Sequence, residues 1–135
     1  MKRQDELHTG DCAKFLRIGA GFFKSGDYAG AERCAFVATT ADATSVDAWV
    51  LLGAARAKLL NMDDALVAFE TAARLRPDDT QRWVDLAECH LAKMSYKNAA
   101  AVLRRAMELD PNGEHPAGRR ARALVGRTLV NLRKR

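Results

Sequence analysis

Apolar residues recur along this chain at helical spacing, in blocks that begin again at regular intervals. Phe15, Ile18 and Phe22 stand at i, i+3 and i+7, and the pattern restarts at Trp49 with Leu52 and at Trp83 with Leu86. Each block runs into a short polar turn, SGDY at 25–28, NMDD at 61–64 and MSYK at 94–97, and then into a second apolar-periodic segment. This is the signature of paired amphipathic helices, one stripe of each turned inward. Beyond Pro116, a good first-turn residue, Ala121, Leu124, Val125, Thr128, Leu129 and Leu132 fall at offsets 0, 3, 4, 7, 8 and 11, with Arg119, Arg120, Arg122 and Arg127 on the opposite side. A seventh helix is predicted there.

The blocks are related by a fixed shift. Trp49 falls on Trp83, Leu52 on Leu86, Ala65 on Ala99, Ala72 on Ala106 and Pro77 on Pro111, each 34 residues apart. The same step backward places Phe15 under Trp49, Gly19 under Gly53 and Ala31 under Ala65. Three units follow, 12–45, 46–79 and 80–113, preceded by a short segment 1–11 and followed by a basic amphipathic helix in 114–135. A 34-residue period with W-x-x-L-G, a mid-repeat Ala, then an aromatic or Leu, Ala and a closing Pro resembles the tetratricopeptide repeat. The second unit carries the pattern most fully, through Trp49, Leu52, Gly53, Ala65, Phe69, Ala72 and Pro77. The first departs from it, with Ala35 where bulk is usual and Ala43 in place of proline.

The resemblance implies an all-α fold, an α-solenoid of three helix pairs closed by a C-terminal capping helix. Gly53, Ala65 and Ala72 are placed where paired helices come closest, and Ser45 or Asp79 with Thr80 are placed to cap the next helix.

Composition narrows the class. At 135 residues and 48% hydrophobic the chain can bury a core without disulfides or metal. Cys12, Cys34 and Cys89 are odd in number and unpatterned, as reduced thiols are. The N-terminal MKRQDELHTGD has no apolar centre for a signal peptide, and the longest apolar run, 48–55, is too short to span a bilayer. A cytoplasmic protein is expected. The net charge of +5 is uneven: residues 1–113 hold 15 Lys/Arg against 16 Asp/Glu, and residues 114–135 hold 7 against 1. A near-neutral body suits protein partners, and the basic tail needs its own account.

Candidate chemistry is sparse. Glu88, Cys89 and His90 are adjacent on a predicted helix and point about 100° apart, and neither His nor Cys stands three or four residues from His90. A metal site is not expected; His90 takes the place of a packed tyrosine and Cys89 that of a small hydrophobe. Asp85 and Glu88 face an open surface on which nothing separates their pKa values for acid–base work. With no phosphate loop, nucleophile elbow or H-E-x-x-H motif, neither catalytic residues nor a cofactor are expected, and the chain reads as a binding protein rather than an enzyme. Arg119 to Arg122 with the terminal RKR could contact phosphates, but no aromatic follows Tyr96 for base stacking, and the face reads as the polar side of a cap rather than a nucleic-acid surface.

In tetratricopeptide domains the first helix of each unit lines the concave groove. By that register the peptide-binding positions here are Leu16, Ala20 and Phe23, then Val50, Ala54 and Ala57, then Val84, Glu88 and Leu91. The groove is expected to be apolar. The Lys/Asn/Arg clamp with which some such domains hold acidic chaperone tails is missing, its places taken by Leu16, Ala20, Leu51, Gln81 and Asp85. More narrowly, GFFKSGDYAGA (21–31), the run 51–79 and LAECHLAKMSYKNAAAVLRRAMEL (86–109) resemble the class II chaperones of bacterial type III secretion systems. That resemblance implies a partner: a hydrophobic translocator subunit held before export through an extended P-x-L-x-x-P-like segment. In that family a longer N-terminal segment is associated with dimerisation, so whether this chain forms a homodimer is left open. The alternatives are a needle-subunit co-chaperone, a general bacterial adaptor and, more distantly, an RNA-associated repeat protein.

Overall fold

The computed structural model describes residues 8–134, without the side chain of Thr9. It contains α1 (Thr9–Lys24), α2 (Tyr28–Ala41), α3 (Val46–Lys58), α4 (Met62–Leu75), α5 (Thr80–Ala92), α6 (Tyr96–Leu109) and α7 (Pro116–Arg133), and no strand among the described residues. The period predicted from sequence reappears in the helix limits. Second helices begin at Tyr28, Met62 and Tyr96 and end at Ala41, Leu75 and Leu109, each 34 apart. α1 begins at Thr9, ahead of the expected unit boundary at residue 12. Contacts divide the chain into two compact units, Met1–Ala68 and Phe69–Arg135, a division that falls inside α4.

The three turns between paired helices share one hydrogen-bond pattern. Asp27, Asn61 and Ser95 donate their backbone N–H to the carbonyls of Phe22, Arg56 and His90, each at 2.9 Å, and the residue before each donates to the carbonyl three back. This double closure ends a helix with one residue in the left-handed region. That residue is Gly26 (φ 87°), Leu60 (φ 64°) and Met94 (φ 58°). Only the first is glycine. Leu60 is 81% exposed and Met94 66%, so neither side chain gains burial to offset its backbone.

In the first unit, α1 packs on α2 and also touches α3. Cys12, Ala38 and Ala48 form one cluster with Phe15, Leu16 and Ala41 against it, and Ala35, Leu52 and Ala68 form another with Trp49 and Leu51. Small residues set the spacing: a Cβ on Gly19 would lie 2.9 Å from the Cβ of Cys34 and 3.0 Å from Cδ2 of Leu51. The Ser45 hydroxyl caps α3 by accepting from the Ala48 N–H, and the Trp49 indole donates to the Ala43 carbonyl at 2.8 Å. Arg56 joins α3 to its neighbours, meeting Glu32 of α2 at 3.6 Å and donating to the Asp64 carbonyl at 3.0 Å.

In the second unit, Val84, Ala87, Leu103, Ala106, Ala121 and Leu124 form a core drawn from α5, α6 and α7. The first unit's devices recur. Asp79 caps α5 by accepting from the Gln81 N–H, and the Trp83 indole donates to the Pro77 carbonyl at 2.8 Å. Each tryptophan thus ties its helix to the loop six residues earlier. α7 packs on both α5 and α6, burying Ala121, Leu124 and Thr128. Leu129, expected on the buried stripe, is 50% exposed because it lies at the open margin of the α6–α7 contact.

Leu60→Gly and Met94→Gly should each raise stability by about 0.5–1 kcal/mol, the relief of a left-handed non-glycine residue less the added freedom of the unfolded chain. Chemical denaturation checks this. Leu124→Asp, a charge in a core position, should cost roughly 3–5 kcal/mol, whereas Leu129→Asp should cost less than about 1 kcal/mol. Equal losses for the two would show that α7 sits differently.

Candidate functional site

The nine positions expected to line a peptide groove meet different surroundings in the two units. In the first unit, Leu16, Ala20 and Phe23 on α1 and Val50, Ala54 and Ala57 on α3 all keep some exposure and carry no charge. In each helix they stand at i, i+4 and i+7, on one face. Leu16 also packs on the Cys12 cluster, so it is half a core residue. Phe23 meets Tyr28 edge to face with ring centroids 5.1 Å apart, and the Lys58 ammonium lies 5.9 Å from the Tyr28 ring centroid. Through Tyr28, at the start of α2, these contacts link the ends of α1 and α3.

The second unit corrects the apolar expectation. Val84 is 0% exposed, enclosed in the core shared by α5, α6 and α7, and offers no surface to a ligand. The physical reason is α7, whose Ala121 and Leu124 occupy the space on that side of α5. Leu91 packs against the same core and retains partial exposure. Glu88 is exposed and meets Arg120 of α7 at 3.4 Å. Between α5, the start of α6 and α7 lies a polar cleft of about 330 Å³, lined by Glu88, Leu91, Tyr96, Arg120, Arg127 and Asn131 among others. A second, apolar cleft of about 440 Å³ lies between α6 and α7 and includes Met107, Val125 and Leu129.

What sets α7 in place is Asp110, which the sequence reading passed over. It is 4% exposed, and its carboxylate accepts from the backbone N–H groups of Glu114 and His115, each at 2.9 Å. These bonds, His115 first, hold its pKa below the ordinary 3.8. Gly118, in the first turn of α7, leaves room for the carboxylate; a Cβ there would overlap it. Arg119 closes the linker from outside by donating to the carbonyls of Gly113 and Glu114 at 3.0 and 3.1 Å. The signal in the sequence is an Asp before P-N-G with a glycine eight residues on, a pattern too local to name its partner.

The adjacent Glu88, Cys89 and His90 part company as the helix geometry requires: Glu88 is exposed, and Cys89 and His90 are buried. Burial lowers the His90 pKa from its ordinary 6.5, with opposing help to the charge from Glu70 and further opposition from Lys93. Asp85 is raised by burial, against the Gln81 amide that donates to it at 2.9 Å and the nearby Arg82. Among the described residues no three His, Cys, Asp or Glu side chains gather as metal ligands, and no helix is long and apolar enough to cross a membrane.

Residues 60–125 match the tetratricopeptide repeat family model. No curated protein sequence matches the chain. Among solved structures, the type III secretion translocator chaperone SycD of Yersinia enterocolitica is similar over 96% of this chain and 90% of its own, at 19% identity and a TM-score of 0.84. PcrH in complex with the chaperone-binding region of PopD is similar over 98% and 99%, at 20% identity and 0.84. The first tetratricopeptide domain of Spaghetti (RPAP3), bound to an HSP90 peptide, is similar over 95% and 98%, at 19% identity and 0.82. The chain therefore has the tetratricopeptide-repeat fold.

The Asp110 joint should be sensitive to acid. A carboxylate with a depressed folded pKa contributes stability that is present above the unfolded value and is lost as pH falls through the folded one. The wild type should lose stability below about pH 4 more steeply than Asp110→Asn. Gly118→Ala should lower the melting temperature at neutral pH by displacing the carboxylate. Parallel acid profiles for wild type and Asp110→Asn would remove Asp110 from this role.

Proposed function

We propose that this chain, which has the fold of tetratricopeptide-repeat domains, is a binding protein that holds an extended apolar segment of a partner polypeptide on the face shared by α1 and α3. The observation that carries the reading is the six uncharged, partly exposed residues Leu16, Ala20, Phe23, Val50, Ala54 and Ala57, at matching positions of two touching helices. An exposed apolar row at one helical face is the surface on which a partner's spaced side chains can be desolvated. Each buried anchor is worth about 1.5–3 kcal/mol. Three anchors, less the cost of ordering the segment, give affinity of roughly micromolar order. That strength suits holding and release without an energy source.

The partner we propose is a hydrophobic translocator subunit of a type III secretion system, bound in the cytoplasm before export through a P-x-L-x-x-P-like segment. Support comes from the sequence resemblance in 21–31, 51–79 and 86–109 and from the similarity to SycD and PcrH, the latter solved with the chaperone-binding region of PopD. The similarity to the Spaghetti domain with its HSP90 peptide is of the same order and favours a general peptide adaptor as the second reading. In neither reading does the face carry out catalysis.

Val50→Glu and Ala54→Glu should each weaken binding of a P-x-L-x-x-P peptide by at least about tenfold, since an unpaired carboxylate would have to be desolvated beneath the anchor. Helical circular dichroism should be retained. Leu52→Glu, which strikes a residue 1% exposed, should instead unfold the first unit. Fluorescence anisotropy with the labelled peptide reads the first effect and thermal melts the second. Unchanged affinity in both face variants would remove this surface from the function.

A further inference from the structure

Two stretches without an acidic residue meet at one end of the second unit. Residues 89–107 hold Lys93, Lys97, Arg104 and Arg105 and neither Asp nor Glu, and residues 115–135 hold seven Lys/Arg and neither Asp nor Glu. The turn between α5 and α6 and the last turn of α7 come together there. Lys93, Met94, Tyr96, Lys97, Asn98 and Leu132 line an open recess of about 590 Å³, and none of its lining residues is acidic. Lys97 is exposed, as are Arg133 and Lys134, which follow Leu132 in the chain. Nearer the start of α7, Arg119 is used on the linker and Arg120 on Glu88.

Met94 gives this end a second character. Its backbone is left-handed (φ 58°) and its side chain 66% exposed, so the fold carries a backbone cost at this residue without burying the side chain in return. Leu60 holds the same place in the turn one repeat earlier, at φ 64° and 81% exposed, but Asp63 and Asp64 follow it where Lys97 follows Met94. Of these two exposed apolar tips, Met94 is the one set among cations.

That combination fits an anionic membrane surface. Lysine and arginine on flexible stems meet lipid phosphates in any arrangement, and an unbranched methionine can reach the acyl boundary just beneath them. A nucleic acid would meet the cations but leave the Met94 side chain against a charged backbone. We propose that the α5–α6 turn and the end of α7 dock on the surface of a bilayer containing anionic phospholipid. Lys97, Arg133 and Lys134 draw the protein to the lipid phosphates, and Met94 enters the interface. The contact is peripheral, and it does not depend on the α1–α3 reading.

The test sediments the full chain with vesicles of phosphatidylcholine, alone or with about 30% phosphatidylglycerol, in about 0.1 M sodium chloride. Partition onto the anionic vesicles should exceed that onto the neutral ones by at least about tenfold. Lys97→Gln should lower it about fivefold and Met94→Gly about threefold. Two controls should leave it unchanged: Arg33→Gln, which removes the same charge from α2, and Leu60→Gly, which makes the same backbone change in the acidic turn. Neither glycine variant should unfold, since glycine relieves the left-handed backbone at both turns. The proposal is overturned by partition that ignores phosphatidylglycerol, or by Met94→Gly binding as wild type does. Equal losses in Lys97→Gln and Arg33→Gln also overturn it, because they would reduce the attraction to net charge. If vesicle binding ignores Lys97→Gln while binding of an oligouridylate or of polyglutamate is weakened by it, the patch is a nucleic-acid or acidic-protein contact and the membrane proposal falls.

Discussion

The fold depends on how closely its helices approach one another. Ala31, Ala35, Ala38, Ala48 and Ala55 in the first unit, and Ala87, Ala99, Ala106 and Ala121 in the second, are all completely buried. Methyl-sized side chains at these positions let neighbouring helices meet backbone to backbone, and Gly19 shows the limit, since even one added carbon there would crowd Cys34 and Leu51. Dispersion contacts in such packing are individually small and are lost steeply with separation. Larger apolar residues then fill the spaces that remain: Leu52 in one unit, Leu103 and Leu124 in the other. Because the small residues take up the closest contacts, Val50, Ala54 and Ala57 of α3 are left with part of their surface exposed, and it is this surface that the proposed function uses.

The same packing gives α7 a second consequence. By covering α5 it completes a core around Val84 and Leu103, and in doing so converts what the repeat register marks as open apolar surface into a cleft edged by Arg120, Arg127 and Glu88. The Asp110 clasp and the Arg119 bonds to the linker fix the start of that helix. One element thus has two sides: its buried stripe closes a core, and its polar stripe sets the charge of the cleft.

Much of this was legible in the sequence, for identifiable reasons. Helix pairing, the 34-residue period, the capping by Ser45 and Asp79 and the amphipathic seventh helix all follow from local periodicity and cap chemistry. The positions that the register named on α1 and α3 are uncharged and partly exposed. It could not tell that Val84 would be enclosed, because that depends on where a helix more than thirty residues later comes to rest. Leu60 and Met94 concealed left-handed turns, since glycine is the main sequence signal for that geometry and, of the three turns between paired helices, one carries it, at Gly26. Asp110 was missed for a related reason: its partners are backbone amides, so the sequence shows only an Asp before P-N-G and a later glycine, not what they bind. The arginines of α7 were visible as a charge run, but their division between linker and cleft is a matter of helix rotation within a few tens of degrees.

Whether α1 and α3 hold an extended apolar segment can be read by chemical-shift mapping of the isotope-labelled protein titrated with an unlabelled P-x-L-x-x-P peptide. Saturable shifts should concentrate at the amides and methyl groups of Ala20, Val50, Ala54 and Ala57, with small changes on exposed positions of α2 such as Arg33 and Phe36. Shifts confined to α2 or to the outer side of α6, or none at saturating peptide, would contradict it.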